Sequence, residues 1–163
     1  IAAYFYLKKH QIPVLPFADT VTPGIILGQA VGRIANFMNG DAFGHPTGQD
    51  FGLLYPDTTL AYHTYGAQPL WPAEVWECQG DLLIFVLLLW YGCKTRAEGT
   101  TFCLYIMFYS LLRFFLENYR GDYGTLALGL KSAQLTSLAA FAGAFILFLY
   151  FHFKHKSKSG ISE

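Results

Sequence analysis

Arg33 and Arg113 stand inside stretches that are otherwise apolar enough for the interior of a membrane. A guanidinium at that depth costs roughly +2.5 to +3.5 kcal/mol on insertion scales, so it normally has a partner or a purpose there. Asn36 follows Arg33 by three residues, and Glu117 and Arg120 follow Arg113 by four and seven. On a helix each set shares one face. The first set points a cation and an amide in the same direction; in the second, Glu117 can hold one or both guanidinium groups in place. Guanidinium binds phosphate oxygens bidentately, and two of them near a membrane boundary suit a phospholipid headgroup. A purely structural Arg113–Glu117 ion pair is the plainer alternative and stays open at this stage.

The elements that position these residues are read as membrane helices. Among 163 residues 53% are hydrophobic and only 13% charged, a balance that does not suit a soluble domain. The formal net charge is zero, which gives bulk attraction to nucleic acid no support. Cys78, Cys93 and Cys103 are scattered, with neither a C-x-x-C pair nor a histidine at ligand spacing. Neither a disulfide framework nor a zinc site is expected, and no metal is expected elsewhere. The chain opens on Ile1 and an apolar run, without a basic stretch or cleavage site; no signal peptide is expected, and the sequence reads as cut from something longer.

Hydropathy along the chain predicts an all-α integral membrane protein with four transmembrane helices, a partial N-terminal helix and one sizeable outward-facing loop region. The stub is Ile1 to Leu7, ending at Lys8, Lys9 and His10; Gln11 to Pro16 is read as a turn. Spans are placed at Phe17 to Met38, Ala73 to Trp90, Thr100 to Tyr119 and Ser132 to about Phe153. Gly24, Gly28 and Gly32 recur every fourth residue, and are expected to form a smooth stripe for close helix packing. Asn39 to Trp71 is polar, rich in Gly, Pro and Tyr, and holds no Lys or Arg. Arg120 to Leu130 is read as a second loop, and residues 154–163 as a basic tail. Alternate connections must lie on opposite sides, and one side collects Lys8, Lys9, Lys94, Arg96, Lys154, Lys156 and Lys158, seven of the 11 basic residues. That side is expected to be cytoplasmic, with residues 39–71 outside and their tyrosines, with Trp71 and Trp76, at the outer headgroup layer.

The run Gly32-Arg33-Ile34-Ala35-Asn36-Phe37-Met38-Asn39-Gly40-Asp41-Ala42-Phe43-Gly44, continued by His45-Pro46-Thr47, resembles the signature of the prolipoprotein diacylglyceryl transferase family, G-R-x-G-N-F-x-N-x-E-x-x-G. Ala35 stands where the family usually has Gly, and Asp41 where it usually has Glu. Arg113-Phe114-Phe115-Leu116-Glu117-Asn118-Tyr119-Arg120 is similar to the family's R-F-x-x-E-x-x-R segment. Pro72 to Glu77 looks like its H-P-x-Q-L-Y-E, with Trp71 in place of His and Glu74 in place of Gln, so that only Pro72 and Glu77 carry over. Leu128 to Leu138, with Gln134 and Ser137, looks like the start of its last helix. The family's H-G-G-L segment, which carries the histidine most often assigned as catalytic, is absent from these residues, so residues 1–163 alone are expected to be inactive.

The resemblance implies a bacterial inner-membrane enzyme, multi-pass with a cytoplasmic C-terminus. It would move the diacylglyceryl group of phosphatidylglycerol to the lipobox cysteine of a preprolipoprotein, forming a thioether and releasing glycerol-1-phosphate. Arg33 and Arg113 are carried over as catalytic, and Arg33, Asn36, Asn39, Asp41, Gly44, Arg113, Glu117 and Arg120 as substrate-binding. A thiolate is the competent nucleophile and phosphate leaves, so the task for the arginines is to stabilise growing charge, with Asn36 as a neutral donor. Glu117 and Asp41 are expected to orient the arginines. No cofactor is required, membrane lipid and the lipobox segment are the partners, and a monomer is expected. His45 and His63 are the outer-side imidazoles; neither matches the family's histidine, and both are read as solvated. Two other classes fit the charges but not the signature: a transporter with an ion path along the arginines, and a subunit that grips anionic lipid without chemistry.

Overall fold

A computed structural model describes residues 2–94, 96–121 and 130–159. Residues 122–129 of the expected Arg120 to Leu130 loop, the first two residues of the Leu128 to Leu138 resemblance and residues 160–163 of the tail lie outside the described residues. The described regular structure is helical: α1 (Ala2–Lys9), α2 (Val14–Asn39), α3 (Leu60–Tyr65), α4 (Ala73–Gly92), α5 (Thr100–Leu116), a single 3-10 turn (Glu117–Tyr119) and α6 (Ser132–Ser159). The most extensive pairings are α2 with α4 and α5 with α6, and α4 on α5 joins the two pairs.

Several boundaries differ from the expected ones for local reasons. Only Gln11, at φ 55, and its immediate neighbours form the turn before α2. The helix begins at Val14, so Pro16 lies in its first turn, where the missing N–H would have had no helical partner. The expected span from Thr100 tightens into the 3-10 turn at Glu117–Tyr119, and α6 continues through Lys154 and Lys156 to Ser159. The polar segment after Asn39 carries α3, started by the Thr59 side chain accepting from the Tyr62 N–H.

Burial in the bundle is inverted with respect to a soluble protein. Glu74, Glu77, Asp81, Thr22, Thr100, Thr101 and Glu117 are almost wholly buried, whereas Val31, Ile34, Leu83, Val86, Trp90, Ile146 and Phe153 are exposed. Water would penalise that outer apolar surface, and hydrocarbon would accept it. Among the described residues three helices are long and apolar enough to cross a membrane: Val14–Asn39, the Thr100–Tyr119 stretch and Ser132–Lys156. These are the helices of a multi-pass membrane protein. The 20-residue α4 is apolar in its second half but carries Glu74, Glu77 and Asp81 in its first.

The glycine stripe does not do what its spacing predicts. Gly24, Gly28 and Gly32 have no described atom within 4 Å of where a Cβ would stand. α2 instead buries the face that carries Thr22, Ile26 and Ala30, and Ile26 packs with Ile84 and Leu88 of α4. Positions 22, 26 and 30 are spaced by four just as the glycines are, and bulk at Ile26 wins the interface because it fills the space between helices. At the glycine-free end of α2, buried Asp19 accepts the backbone N–H groups of Gly99 at 2.8 Å and Phe102 at 2.9 Å. A carboxylate there satisfies two donors that α5 leaves unpaired at its start and meets the positive end of that helix's dipole. Asp19→Ala is therefore expected to destabilise the protein by about 2 kcal/mol, the worth of a hydrogen bond to a charged group. Denaturation of the detergent-solubilised protein measures this, and an unchanged midpoint would remove the clamp.

Candidate functional site

α2 and α5 end, and α4 and α6 begin, at one end of the bundle, and the charged residues gather there. At its centre is Glu77, one turn into α4 and wholly buried. Three guanidinium groups converge on it: Arg33 Nη2 lies 3.0 Å from Oε1, while Arg113 Nη1 at 3.3 Å and Arg120 Nη1 at 3.4 Å both reach Oε2. The Tyr109 hydroxyl donates to Oε1 at 3.5 Å. Arg113 uses its other nitrogen, Nη2, to pair with Glu117 Oε2 at 3.0 Å. Lys131 Nζ donates to the backbone carbonyls of Glu117 and Arg120, at 2.7 and 2.6 Å, and stands 4.0 Å from Glu117 Oε1. Arg33 comes from α2, Arg113 from α5, Arg120 from the residue after the 3-10 turn and the carboxylate from α4, so the cluster exists only in the assembled bundle.

The expected division of labour is corrected by this geometry. Glu117 does pair with Arg113, but the carboxylate that gathers the arginines is Glu77. Asp41 acts at one remove: Arg33 Nη1 donates to Asn36 Oδ1 at 3.0 Å, and Asn36 Nδ2 donates to Asp41 Oδ1 at 2.5 Å. Asn36 thus has its amide oriented by a cation on one side and an anion on the other. Gly40 makes this return possible. It ends α2 in the left-handed region at φ 66, and the Asp41 N–H bonds back to the Asn36 carbonyl at 3.1 Å. A Cβ there would lie 2.5 Å from that of Thr59, besides straining the backbone.

Gly44 serves the site through its backbone. It forms an isolated antiparallel bridge with Arg120, flanked by His45 N–H to Tyr119 O at 2.9 Å and Gly121 N–H to Phe43 O at 3.2 Å. A Cβ at Gly44 would fall 2.2 Å from the Trp71 carbonyl oxygen, so only glycine lets this segment lie between Trp71 and Arg120. Phe43, Ala61 and Leu70 form a small core beneath it, with Tyr55 and Tyr65 packed alongside, and Tyr55 donates to Glu74. His45 engages the Pro46 carbonyl through Nδ1 at 2.9 Å, and its ring meets Trp71 edge-on. Asn39 closes α2, exposed and apart from the ion cluster.

Two clefts open beside the cluster. One, of about 470 Å3, is lined by Arg33, Asn36, Asp41, Phe43, Leu60 and Arg120. The other, of about 320 Å3, lies between α5 and α6 and includes Tyr109, Arg113 and Ser137. Arg33 and Arg113, read from the sequence as two cations suited to a phospholipid headgroup, share a carboxylate and front different clefts. Glu77 attracts both while standing between them, which separates two like charges.

Glu77 itself, Lys131, Tyr109 and the acids Glu74 and Asp81 were not among the expected site residues. A usable signal was present: Glu74, Glu77 and Asp81 fall at helical spacing on one face of α4, and buried arginines require anions.

The family model described as prolipoprotein diacylglyceryl transferase matches residues 1–150 of this chain. Curated relatives named phosphatidylglycerol–prolipoprotein diacylglyceryl transferase include one from Clostridioides difficile (strain 630), 37% identical over all of this chain and 60% of its own length. Another, from Corynebacterium efficiens, is 34% identical over 91% of this chain and 50% of its own length. A third, from Corynebacterium diphtheriae, is 36% identical over 87% of this chain and 54% of its own length. The chain thus spans between 50% and 60% of the length of these relatives. With nearly its whole length matched by the family model, and with the matched arginines held together on one buried carboxylate, the chain belongs to the prolipoprotein diacylglyceryl transferase family.

Proposed function

We propose that the protein to which these residues belong transfers the diacylglyceryl group of phosphatidylglycerol to the lipobox cysteine of a preprolipoprotein. In this reaction the cysteine sulfur forms a bond to the glyceryl carbon as that carbon's bond to the phosphate oxygen breaks, giving a thioether and glycerol-1-phosphate. The observation that carries the reading is the convergence of Arg33, Arg113 and Arg120 on Glu77 beside an open cleft. Arg33 Nε is buried without a hydrogen-bond partner among the described residues. An unsatisfied guanidinium donor favours an anion that completes it, and a phosphodiester oxygen has the right charge and size.

The residues divide the work by position. Arg33, Asn36 and Arg120 line one cleft and hold the phosphodiester as charge grows on the leaving oxygen; donors fixed before the reaction need no reorganisation. Asp41, through Asn36, sets the amide that faces the same space, and remains able to accept from the glycerol hydroxyls. Arg113 faces the second cleft and is aligned by Glu77 and Glu117 together. The chain contributes the phosphate-holding half of such a site. The base that takes the thiol proton is assigned to neither His45 nor His63.

The membrane arrangement is part of the same proposal. α4 is a fourth span, its acids turned into the bundle while Leu83, Val86, Leu89 and Trp90 face outward. Residues 39–71 lie on the outer side of a bacterial inner membrane and the α6 terminus on the cytoplasmic side, as the lysine and arginine bias favours. The protein acts as a monomer with lipid and the lipobox segment as its partners.

In the complete protein, Arg33→Ala and Arg113→Ala are each expected to reduce transfer about a hundredfold or more, the usual effect of losing a fixed donor to a developing charge. Mass gain on the cysteine of a lipobox peptide supplied with phosphatidylglycerol is the readout. Near-normal turnover by either variant would remove the phosphate-holding assignment. Glu77→Gln leaves three cations without their shared anion and is expected to lower the unfolding free energy by roughly 3 kcal/mol. Chemical denaturation in detergent checks it, and full stability would mean that Glu77 does not hold the arginines together.

A further inference from the structure

The end of the bundle away from Glu77 carries a second cationic cleft that the transfer reaction does not use. Fifteen residues of α4 separate Glu77 from Gly92, which on a helix is about 22 Å. The cleft there, of about 390 Å3, lies between the start of α2, the turn joining α4 to α5, and the end of α6. Leu15 and Phe151 supply apolar walls, Arg96, Lys154 and His155 supply donors, and Glu98 is the one carboxylate lining it.

Arg96 is fixed before any ligand arrives. Its Nε donates to Thr101 Oγ1 at 2.7 Å, and its Nη1 donates to the Gly92 carbonyl and, at 3.3 Å, to that of Lys94. The Asp19 clamp holds the same turn against α2, and Gly99 is in near contact with both Phe151 and Leu15. Across the cleft from Arg96, Lys154 is exposed and leans on the Tyr150 ring, 5.4 Å from its centroid. The lining therefore joins a preset guanidinium, an exposed ammonium and an apolar wall at the place where lipid-exposed helices end. A soluble anion has no use for Leu15 and Phe151, but a phospholipid has both a phosphate and an acyl chain to place.

We infer that this cleft binds the phosphate headgroup of an anionic phospholipid from the leaflet opposite the Glu77 cluster, with the first acyl carbons along Leu15 and Phe151. The site is separate from the transfer reaction proposed above and would fix the depth and tilt of α2, α5 and α6 in the membrane.

Trp90 is a built-in reporter, since Lys94 of the same turn stacks over its ring. The test uses the complete protein, with Trp71→Phe and Trp76→Phe and with any tryptophans outside this chain also replaced, in vesicles of phosphatidylcholine with a rising fraction of brominated-chain lipid. Brominated phosphatidylserine is expected to quench Trp90 at a mole fraction on the order of tenfold lower than brominated phosphatidylcholine, because each basic residue near a membrane surface adds severalfold to anionic-lipid affinity. Arg96→Gln with Lys154→Gln should bring the two lipids to within about twofold of each other. Because Arg96 also ties the turn, Lys154→Gln with His155→Gln gives a second variant that leaves that tether intact and should lose most of the preference. Equal quenching by the two lipids in the parent, or a preference that survives both variants, overturns the site. Loss of the preference on adding millimolar glycerol phosphate would show a soluble-anion site instead and overturn the lipid assignment. Phosphatidylserine is not the proposed donor, so failure here leaves the transfer reading intact.

Discussion

One buried carboxylate governs the charged end of this bundle. Three guanidinium groups from two helices and the turn beyond α5 would repel one another in a medium of low dielectric, and none would enter it alone at tolerable cost. Glu77 makes their approach possible, and because it sits on the central α4 it draws α2 from one side and α5 from the other. The position of each arginine is thus a consequence of helix packing, and helix packing is in turn biased by the ion cluster. Asn36, Asp41 and the Gly40 turn extend that order outward into the loop segment, where Gly44 and Arg120 join their backbones.

The two ends of the bundle solve a similar problem with different residues. At the far end Asp19 of α2 takes two backbone N–H groups from the start of α5. At the near end Glu77 of α4 takes side chains from α2 and α5. In both cases a single carboxylate bridges helices, a useful device where lipid outside the bundle removes much of the hydrophobic drive for helices to associate. The apolar core between these ends is correspondingly small, centred on Ile26, Ile84 and Leu88.

Much of this was legible in the sequence, for identifiable reasons. Helix positions followed from hydropathy because length and apolar content report on spanning directly, and the Arg113–Glu117 pair followed from helical spacing; Arg120, expected on the same helix face, instead follows the 3-10 turn in extended backbone. The partner of the arginines was not legible in the same way. Glu77 is 36 residues from Arg113 and 44 from Arg33, and local spacing carries no information across such distances. Glu117, four residues from Arg113, was the visible candidate and proved to hold part of the role. Nothing among the described residues packs on the glycine stripe: a smooth helix face permits close packing but does not demand it, and within these residues α2 uses a bulkier face. Gly44 shows the reverse case, since its motif position marked it for the site while its backbone contact with Trp71 could be seen only once the segment was folded.

The separation of Arg33 and Arg113 into two clefts bears on how a lipid and a peptide could meet. A phosphodiester held by Arg33 and Arg120, as proposed, would occupy one cleft, and Arg113 fronts a separate groove bounded by α5 and α6. An anion entering the first cleft competes with Glu77 for Arg33, and any weakening of that pair leaves Glu77 to Arg113 and Arg120. Occupancy of one cleft would thereby reach the other through a single side chain. Such coupling requires the carboxylate to be shared, and the near-equal distances of 3.0, 3.3 and 3.4 Å to the three guanidinium groups are what sharing looks like.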